Sequence, residues 1–150
     1  MTYLRLRGKH HRRHLTTAWS PATVADVLIC DVSDELKANL DVVTSASQFR
    51  LYSQGSHIYK QRGPEEALLL INSLKHVIEH AEYIEIRKPG RVCAVVGPTE
   101  DGKDALAAIK FIPAECASSK VDEAWIPTSY FIREKEIETK TKEGRFQPIS

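Results

Sequence analysis

The spacing of apolar residues is most regular between residues 64 and 84, in the segment PEEALLLINSLKHVIEHAEYI. Leu68, Ile71, Leu74 and Ile78 follow one another three or four positions apart, which is the spacing of one helix face. Pro64 suits the first turn of a helix, and the two glutamates after it complement the helix dipole. This pattern predicts a helix over residues 65–81.

Upstream of this helix the patterns are shorter. Ser33 is a strong N-cap residue followed by acidic positions, so it predicts a short helix ending near Leu40. The run from Val24 to Ile29 suits a helix or a buried strand equally. Residues 48–53, QFRLYS, alternate apolar and polar side chains as a short strand does.

From Tyr83 onward, turn-forming segments (KPG, PTEDGKD and AECASSKVDE) separate four β-rich runs, YIEIR, RVCAVVG, ALAAIKFIP and AWIPTSYFIR. Successive strands with short polar loops predict an antiparallel meander. The expected fold class is α+β, with N-terminal helices packed on a roughly four-stranded antiparallel sheet. We expect a single domain over residues 21–135, between a basic arm (1–20) and a charged tail (136–150).

The last of these runs carries a pair of hydroxyl side chains. Because side chains alternate along a strand, Thr128 and Tyr130 are expected to share one face with Ile126 and Ile132. Such a pair either lines a ligand cleft or belongs to a half-exposed strand.

Charge is balanced overall but concentrated at the N-terminus. The 150 residues include 21 basic and 20 acidic side chains, yet residues 5–14, RLRGKHHRRH, contain no acid. Arg12 and Arg13 belong to this arm, which either binds nucleic-acid phosphates or is a solvated terminus. No apolar run is long enough for a membrane helix or a secretory signal, so we expect a soluble cytoplasmic protein.

Cysteine and histidine positions predict neither a metal nor a cofactor. Cys30, Cys93 and Cys116 are widely spaced and predict reduced, packed thiols rather than a disulfide framework. His76 and His80 are four residues apart on the predicted helix, a spacing that permits metal ligation. Surface polar residues are the preferred interpretation of this pair.

The segment GSHIYKQRG, residues 55–63, combines a histidine, a tyrosine, a lysine and an arginine without a carboxylate or a cysteine. His57 can serve as a general acid or base at neutral pH, and Arg62 suits bidentate binding of phosphate. The alternative is an ordinary solvated cationic face.

The order of the elements, together with short motifs, resembles the phage-associated branch of the barnase, EndoU, colicin and RelE (BECR) ribonuclease superfamily. The resemblance spans roughly residues 28–133 and rests on HI at 57–58, EHAEYI at 79–84 and TSY at 128–130. It implies a BECR-like fold and a ribonuclease that cleaves RNA, with transfer RNA among the candidate substrates, without a metal. Members of this branch are toxins or phage-encoded effectors, often neutralised by an antitoxin or immunity protein, here expected to be acidic.

By position, the resemblance implies that His57 transfers a proton. Where many relatives have a second histidine, this chain has Gln61, Arg62 and Gly63, so Arg62 or Lys60 becomes the candidate substitute. The other implied catalytic positions are Thr128 and Tyr130, and the further candidates for substrate binding are Tyr59, Lys60, Lys110 and Ser129.

Loss of the second histidine also supports a different class of function. A chain with this fold can be a non-catalytic module that binds nucleic acid or a protein through its basic residues. The sequence leaves both possibilities open.

Overall fold

The computed structural model describes residues 15–16, 26–51 and 57–149. The elements are β1 (Leu15–Thr16), β2 (Asp26–Asp31), α1 (Asp34–Leu40), β3 (Gln48–Leu51), α2 (His57–Glu79), β4 (Tyr83–Lys88), β5 (Val92–Pro98), β6 (Asp104–Ile112), β7 (Glu123–Trp125), β8 (Ser129–Phe131), α3 (Glu134–Lys142) and β9 (Gln147–Pro148). Within these ranges, three α-helices and a mixed sheet, with β4 to β8 consecutive in the chain, confirm the predicted α+β class.

Helix α1 begins and ends where its residues predict. The Ser33 hydroxyl accepts a hydrogen bond from the Leu36 backbone N–H at 3.1 Å, which satisfies a free donor of the first turn. Asp41 ends the helix in the left-handed conformation, with φ of 53°. Leu36 and Leu40 are buried, so one side of this short helix packs into the core.

Helix α2 is interrupted at Gly63, whose φ of 82° and ψ of 167° are not helical. Glycine adopts a positive φ at little cost, and Pro64 then begins the long second segment, which ends at Glu79. The buried face of that segment is centred on Leu70 and Leu74. Leu68, which the sequence pattern assigned to this face, is instead 37% exposed.

The described strands form one mixed sheet in the order β1-β2-β3-β7-β6-β5-β4-β9, with β8 also paired to β6. Strands β4, β5 and β6, followed by β7 and β8, form the predicted antiparallel meander. The expectation of a roughly four-stranded antiparallel sheet needs correction, because the sheet is larger and its β1–β2 and β3–β7 pairs are parallel. The β3–β7 pair joins segments far apart in sequence, and local periodicity predicts neither this pair nor the short β1–β2 pair.

Two apolar clusters cover opposite faces of the sheet. One includes the buried face of α2, with Leu70 and Leu74, and the other includes Ile137 of α3 and Phe146 after it. Residues 136–149, which the sequence analysis treats as a charged tail, therefore pack on the sheet as part of the fold. These residues are mostly charged, so the narrow apolar side of α3 is not evident from the sequence pattern.

Candidate functional site

The first turns of α2 meet β8 at a contact between a cation and an aromatic ring. The guanidinium carbon of Arg62 lies 5.7 Å from the centroid of the Tyr130 ring. At this separation the ring attracts the cation by about 0.5–1 kcal/mol at an exposed site. Arg62 also lies 3.9 Å from the carboxylate of Glu66, but an exposed ion pair of this length contributes little. Two residues selected from distant parts of the sequence are thus neighbours.

Local structure explains how α2 brings Arg62 to this place. Ile58 is fully buried and anchors the first turn of α2 in the core. The interruption at Gly63 separates this turn from the long segment that packs on the sheet. Arg62 is the last residue before the interruption. Its position therefore depends on Ile58 before it and on the packed long segment of α2 after it.

Strand β8 is separate from β7, and this separation changes which side chains share a face. Residues 126–128 lie between the two strands and belong to neither. Ile126 is part of the α2-side cluster, whereas Ile132 and Tyr130 belong to the α3-side cluster. The predicted common face of Ile126, Thr128, Tyr130 and Ile132 is therefore wrong, because alternation holds only within an uninterrupted strand.

Thr128 lies in this interruption, two residues before Tyr130. Its hydroxyl oxygen is buried and has no hydrogen-bond partner among the described residues. Its backbone carbonyl accepts a hydrogen bond from the Ala108 N–H at 3.0 Å, which fixes the residue against β6. Leaving a buried hydroxyl unpaired costs roughly 1–3 kcal/mol, so the local packing of the described residues does not explain the polarity of this side chain.

Two other predicted site residues are engaged elsewhere. Ser129 is fully buried and donates its hydroxyl to the Leu106 carbonyl at 2.7 Å, so it supports the pairing of β6 with β8. Lys110 is exposed and pairs with Trp125 of β7. It lies four residues beyond Leu106, the partner of Tyr130, or about 13 Å along β6. Neither side chain joins the contact between α2 and β8.

The remaining predicted residues cannot be placed by their side chains. His57 is the first residue of α2, five residues before Arg62, which corresponds to about 7.5 Å along a helix axis. The side chains of His57, Tyr59 and Lys60 lie outside the described part of the structure, as do residues 12 and 13 with their arginines. Their roles stay predictions.

Sequence reasoning missed a second cation at this strand. The ammonium nitrogen of Lys103 lies 5.4 Å from the centroid of the Phe131 ring. Phe131 follows Tyr130 on β8, so the two rings point to opposite faces and a cation lies near each. No motif in the turn that contains Lys103 signals this contact; the pairing of β6 with β8 creates it.

The thiols of the described cysteines differ in their exposure. Cys30 and Cys93 are free and buried, and burial raises the pKa of each thiol to about 12. Cys116 is exposed, which corrects the expectation that all three thiols are packed. The described residues contain no group of three or more His, Cys, Asp or Glu side chains suited to hold a metal ion.

Comparisons of this chain with protein-family models, curated proteins and solved structures give no match. Within the described ranges, no helix has both the length and the apolar content required to cross a bilayer. Arguments about function therefore rest on the site geometry and on the three short motifs.

Proposed function

We propose that this protein is a metal-independent ribonuclease whose site lies where the first turns of α2 meet β8. The observation that carries the proposal is the contact between Arg62 and Tyr130. Two positions before Tyr130, the buried hydroxyl of Thr128 has no hydrogen-bond partner among the described residues. Guanidinium groups bind phosphate oxygens in a bidentate manner, and aromatic rings stack on unpaired bases. The Thr128 hydroxyl is buried, so it donates to a phosphate oxygen only if RNA binding opens the packing around it. The three groups together suit single-stranded RNA.

In the proposed reaction, the RNA supplies its own nucleophile. A base removes the proton of the 2′-hydroxyl, and the 2′ oxygen forms a bond to phosphorus. The bond between phosphorus and the 5′ oxygen breaks as an acid protonates the leaving oxygen. The products are a 2′,3′-cyclic phosphate and a 5′-hydroxyl end, and no step requires a metal-bound water.

The residues have different roles in this scheme. His57 transfers a proton, and Arg62, assisted by Lys60, stabilises the charge that develops on the phosphoryl oxygens. Tyr130 stacks on a base or donates a hydrogen bond, and Thr128 positions the phosphate. We infer a toxin or phage-encoded effector, neutralised by an acidic partner, from the resemblance described above.

The contribution of the basic arm to RNA binding can be tested separately from the site. If Arg12 and Arg13 contact phosphates, replacing both with Ala weakens RNA binding about equally across sequences and reduces its salt dependence. The check is the slope of log affinity against log salt concentration for several unrelated RNAs. An unchanged slope would mean that the arm does not touch RNA.

One observation favours a second candidate, a non-catalytic module that binds RNA or a protein. Arg62, Tyr130 and Thr128 hold and position a ligand, whereas the motif around them offers a single histidine, His57, for two proton-transfer roles. A binding module requires the groups that hold a ligand, but it does not require an acid and a base for proton transfer.

The decisive assay incubates the purified full chain with mixed RNA in EDTA and analyses the ends of the products. We expect 2′,3′-cyclic phosphates, and a loss of about 10²–10⁴ in rate for His57→Ala. Arg62→Lys keeps the charge but loses the bidentate geometry, so it should fall between wild type and Arg62→Ala. Lys88→Ala, an exposed change on β4 with the same loss of charge, is the matched control and should leave the rate unchanged.

The outcomes separate the two candidates. Abolition of cleavage by EDTA would indicate a metallonuclease and contradict the proposed mechanism. Absence of cleavage, together with RNA binding that Arg62→Ala weakens, would favour the binding module. Expression in bacteria gives a second comparison, because a ribonuclease toxin arrests growth and His57→Ala relieves the arrest.

A further inference from the structure

Two imidazole rings are stacked at the C-terminal end of α2. His76 and His80 lie four residues apart, which places them on the same side of the helix. Their ring centroids are 4.1 Å apart and the ring planes differ by 20°. Neither side chain belongs to the contact between Arg62 and Tyr130, since His76 lies about 18 Å along the helix from Pro64.

Hydrogen bonds determine which nitrogen of each ring carries a proton. Nδ1 of His76 lies 2.9 Å from the Pro98 carbonyl, and Nδ1 of His80 lies 3.1 Å from the His76 carbonyl. A carbonyl oxygen only accepts hydrogen bonds, so both Nδ1 atoms donate. In a neutral ring that donates through Nδ1, the lone pair is on Nε2. Histidines that ligate metals have this arrangement, with one nitrogen on the metal and the other N–H on a backbone carbonyl.

The helix that carries the pair is held closely against the sheet. A Cβ atom on Gly97 of β5 would lie 2.3 Å from the Val77 carbonyl oxygen, so α2 and β5 approach as closely as glycine allows. The bond from His76 to Pro98 adds a polar tie at the same place. His76 is therefore fixed in position, and the negative end of the helix dipole beside the two histidines favours a cation.

We propose that His76 and His80 form a bidentate site for a divalent first-row transition-metal ion. Both Nε2 atoms bind the ion and water completes its coordination. Two bonds of about 2.05 Å at a tetrahedral angle require nitrogens roughly 3.3 Å apart with both lone pairs directed at the ion. Because the stacked ring planes differ by only 20°, the exposed His80 ring must turn out of the stack and release the His76 carbonyl, while His76 keeps its bond to Pro98. Imidazole ligands suit Cu²⁺, Ni²⁺ and Zn²⁺, with Cu²⁺ expected to bind most tightly.

The test must exclude the three histidines of the basic arm. The parent protein is the untagged full-length chain in which His10, His11 and His14 are replaced by Ala, because these residues of the basic arm can also bind metals. Ni²⁺ is the probe, since it does not oxidise thiols as Cu²⁺ does. Calorimetric titration of the parent should show one Ni²⁺ per chain.

Each single variant, His76→Ala and His80→Ala, should lower the association constant for Ni²⁺ at least about tenfold, because the second imidazole binds intramolecularly. His80→Ala is the cleaner variant, since this side chain is exposed and its loss leaves the tie between α2 and Pro98 in place. Adding Asn72→His to His80→Ala restores a four-residue spacing with His76 and should recover affinity. Ni²⁺ should also raise the melting temperature of the parent more than that of either single variant.

Three results would overturn the proposal. The parent could show no saturable binding of Ni²⁺, or both single variants could bind as tightly as the parent. An effect of one single variant without the other would indicate a single imidazole ligand and not a chelate.

Discussion

Gly97 marks the closest approach of α2 to the sheet, and adding one methyl group there tests the packing directly. In Gly97→Ala, the new Cβ would lie 2.3 Å from the Val77 carbonyl oxygen and 3.0 Å from the Ala81 Cα. Real Cβ atoms essentially never come within 3.0 Å of another atom, so the helix must retreat by at least about 0.7 Å. The obstacle is backbone, and no side-chain rotation can relieve it.

The expected cost follows from two opposing terms. Overpacking of a tightly packed core costs about 1–3 kcal/mol, and a backbone clash belongs at the upper end of this range. Replacing glycine with alanine restricts the unfolded chain and returns about 0.4–1 kcal/mol. We therefore expect Gly97→Ala to lower the free energy of unfolding by about 2 kcal/mol, or the melting temperature by roughly 4–8 °C.

Urea unfolding, analysed with a common m-value, measures this difference. Gly90→Ala is the comparison variant, because a Cβ there meets nothing within 4 Å and its cost comes from a φ of 75°. Gly97→Ala should shift the NMR signals of the His76 ring, because it displaces α2. Gly90→Ala should leave these signals unchanged. If Gly97→Ala costs no more than Gly90→Ala and leaves these signals unmoved, the close packing of α2 on β5 is refuted.

Two further predictions concern titratable groups. Hydrogen bonds to the Asp122 carboxylate, foremost from the backbone N–H of Ser45, hold its pKa below the usual value of 3.8. The stability that this carboxylate contributes is therefore present above pH 3.8. It is lost as the pH falls through the lowered pKa. Urea unfolding of Asp122→Asn should show a weaker dependence on pH below about 4, and a dependence equal to wild type would contradict this role. Iodoacetamide at pH 8 should modify Cys116 in the native protein, and Cys30 and Cys93 only after unfolding, because burial raises the pKa of these two thiols to about 12. Intact-mass measurement counts the modified thiols, and a second native modification would show that one buried thiol is accessible.

Several elements of this protein follow from short stretches of its sequence. Ser33 predicts the start of α1 because its hydroxyl caps a free N–H three residues away. Pro64 marks the start of the long segment of α2 for a similar reason, since proline lacks only a donor that the first turn leaves free. The runs that form β4, β5 and β6 are also visible, because each alternates or is apolar between turn residues. In all these cases the atoms that decide the structure are within a few residues of one another.

The candidate site was predicted in part by the same means. Arg62 and Tyr130 were selected from motifs, but nothing local indicated that they lie 5.7 Å apart. Lys103 was missed because it carries no motif. Lys110 was selected by resemblance and lies on a distant part of its strand.

Tertiary structure alone decided the rest. Whether residues 26–29 form a strand depended on a pairing with β3, which in turn lies parallel to β7 near the other end of the chain. The break at residues 126–128 arises because β7 and β8 pair with different parts of β6. As a result, Tyr130 lies on the face of the sheet opposite to Ile126, and not on the same face as continuous alternation predicts. The sequence by itself therefore determined the elements whose hydrogen bonds and apolar faces are local. Contacts between residues distant in sequence determine the extent of the sheet, the contact of Arg62 with Tyr130 and the fixed position of His76. These contacts stabilise the protein only when the whole chain is folded.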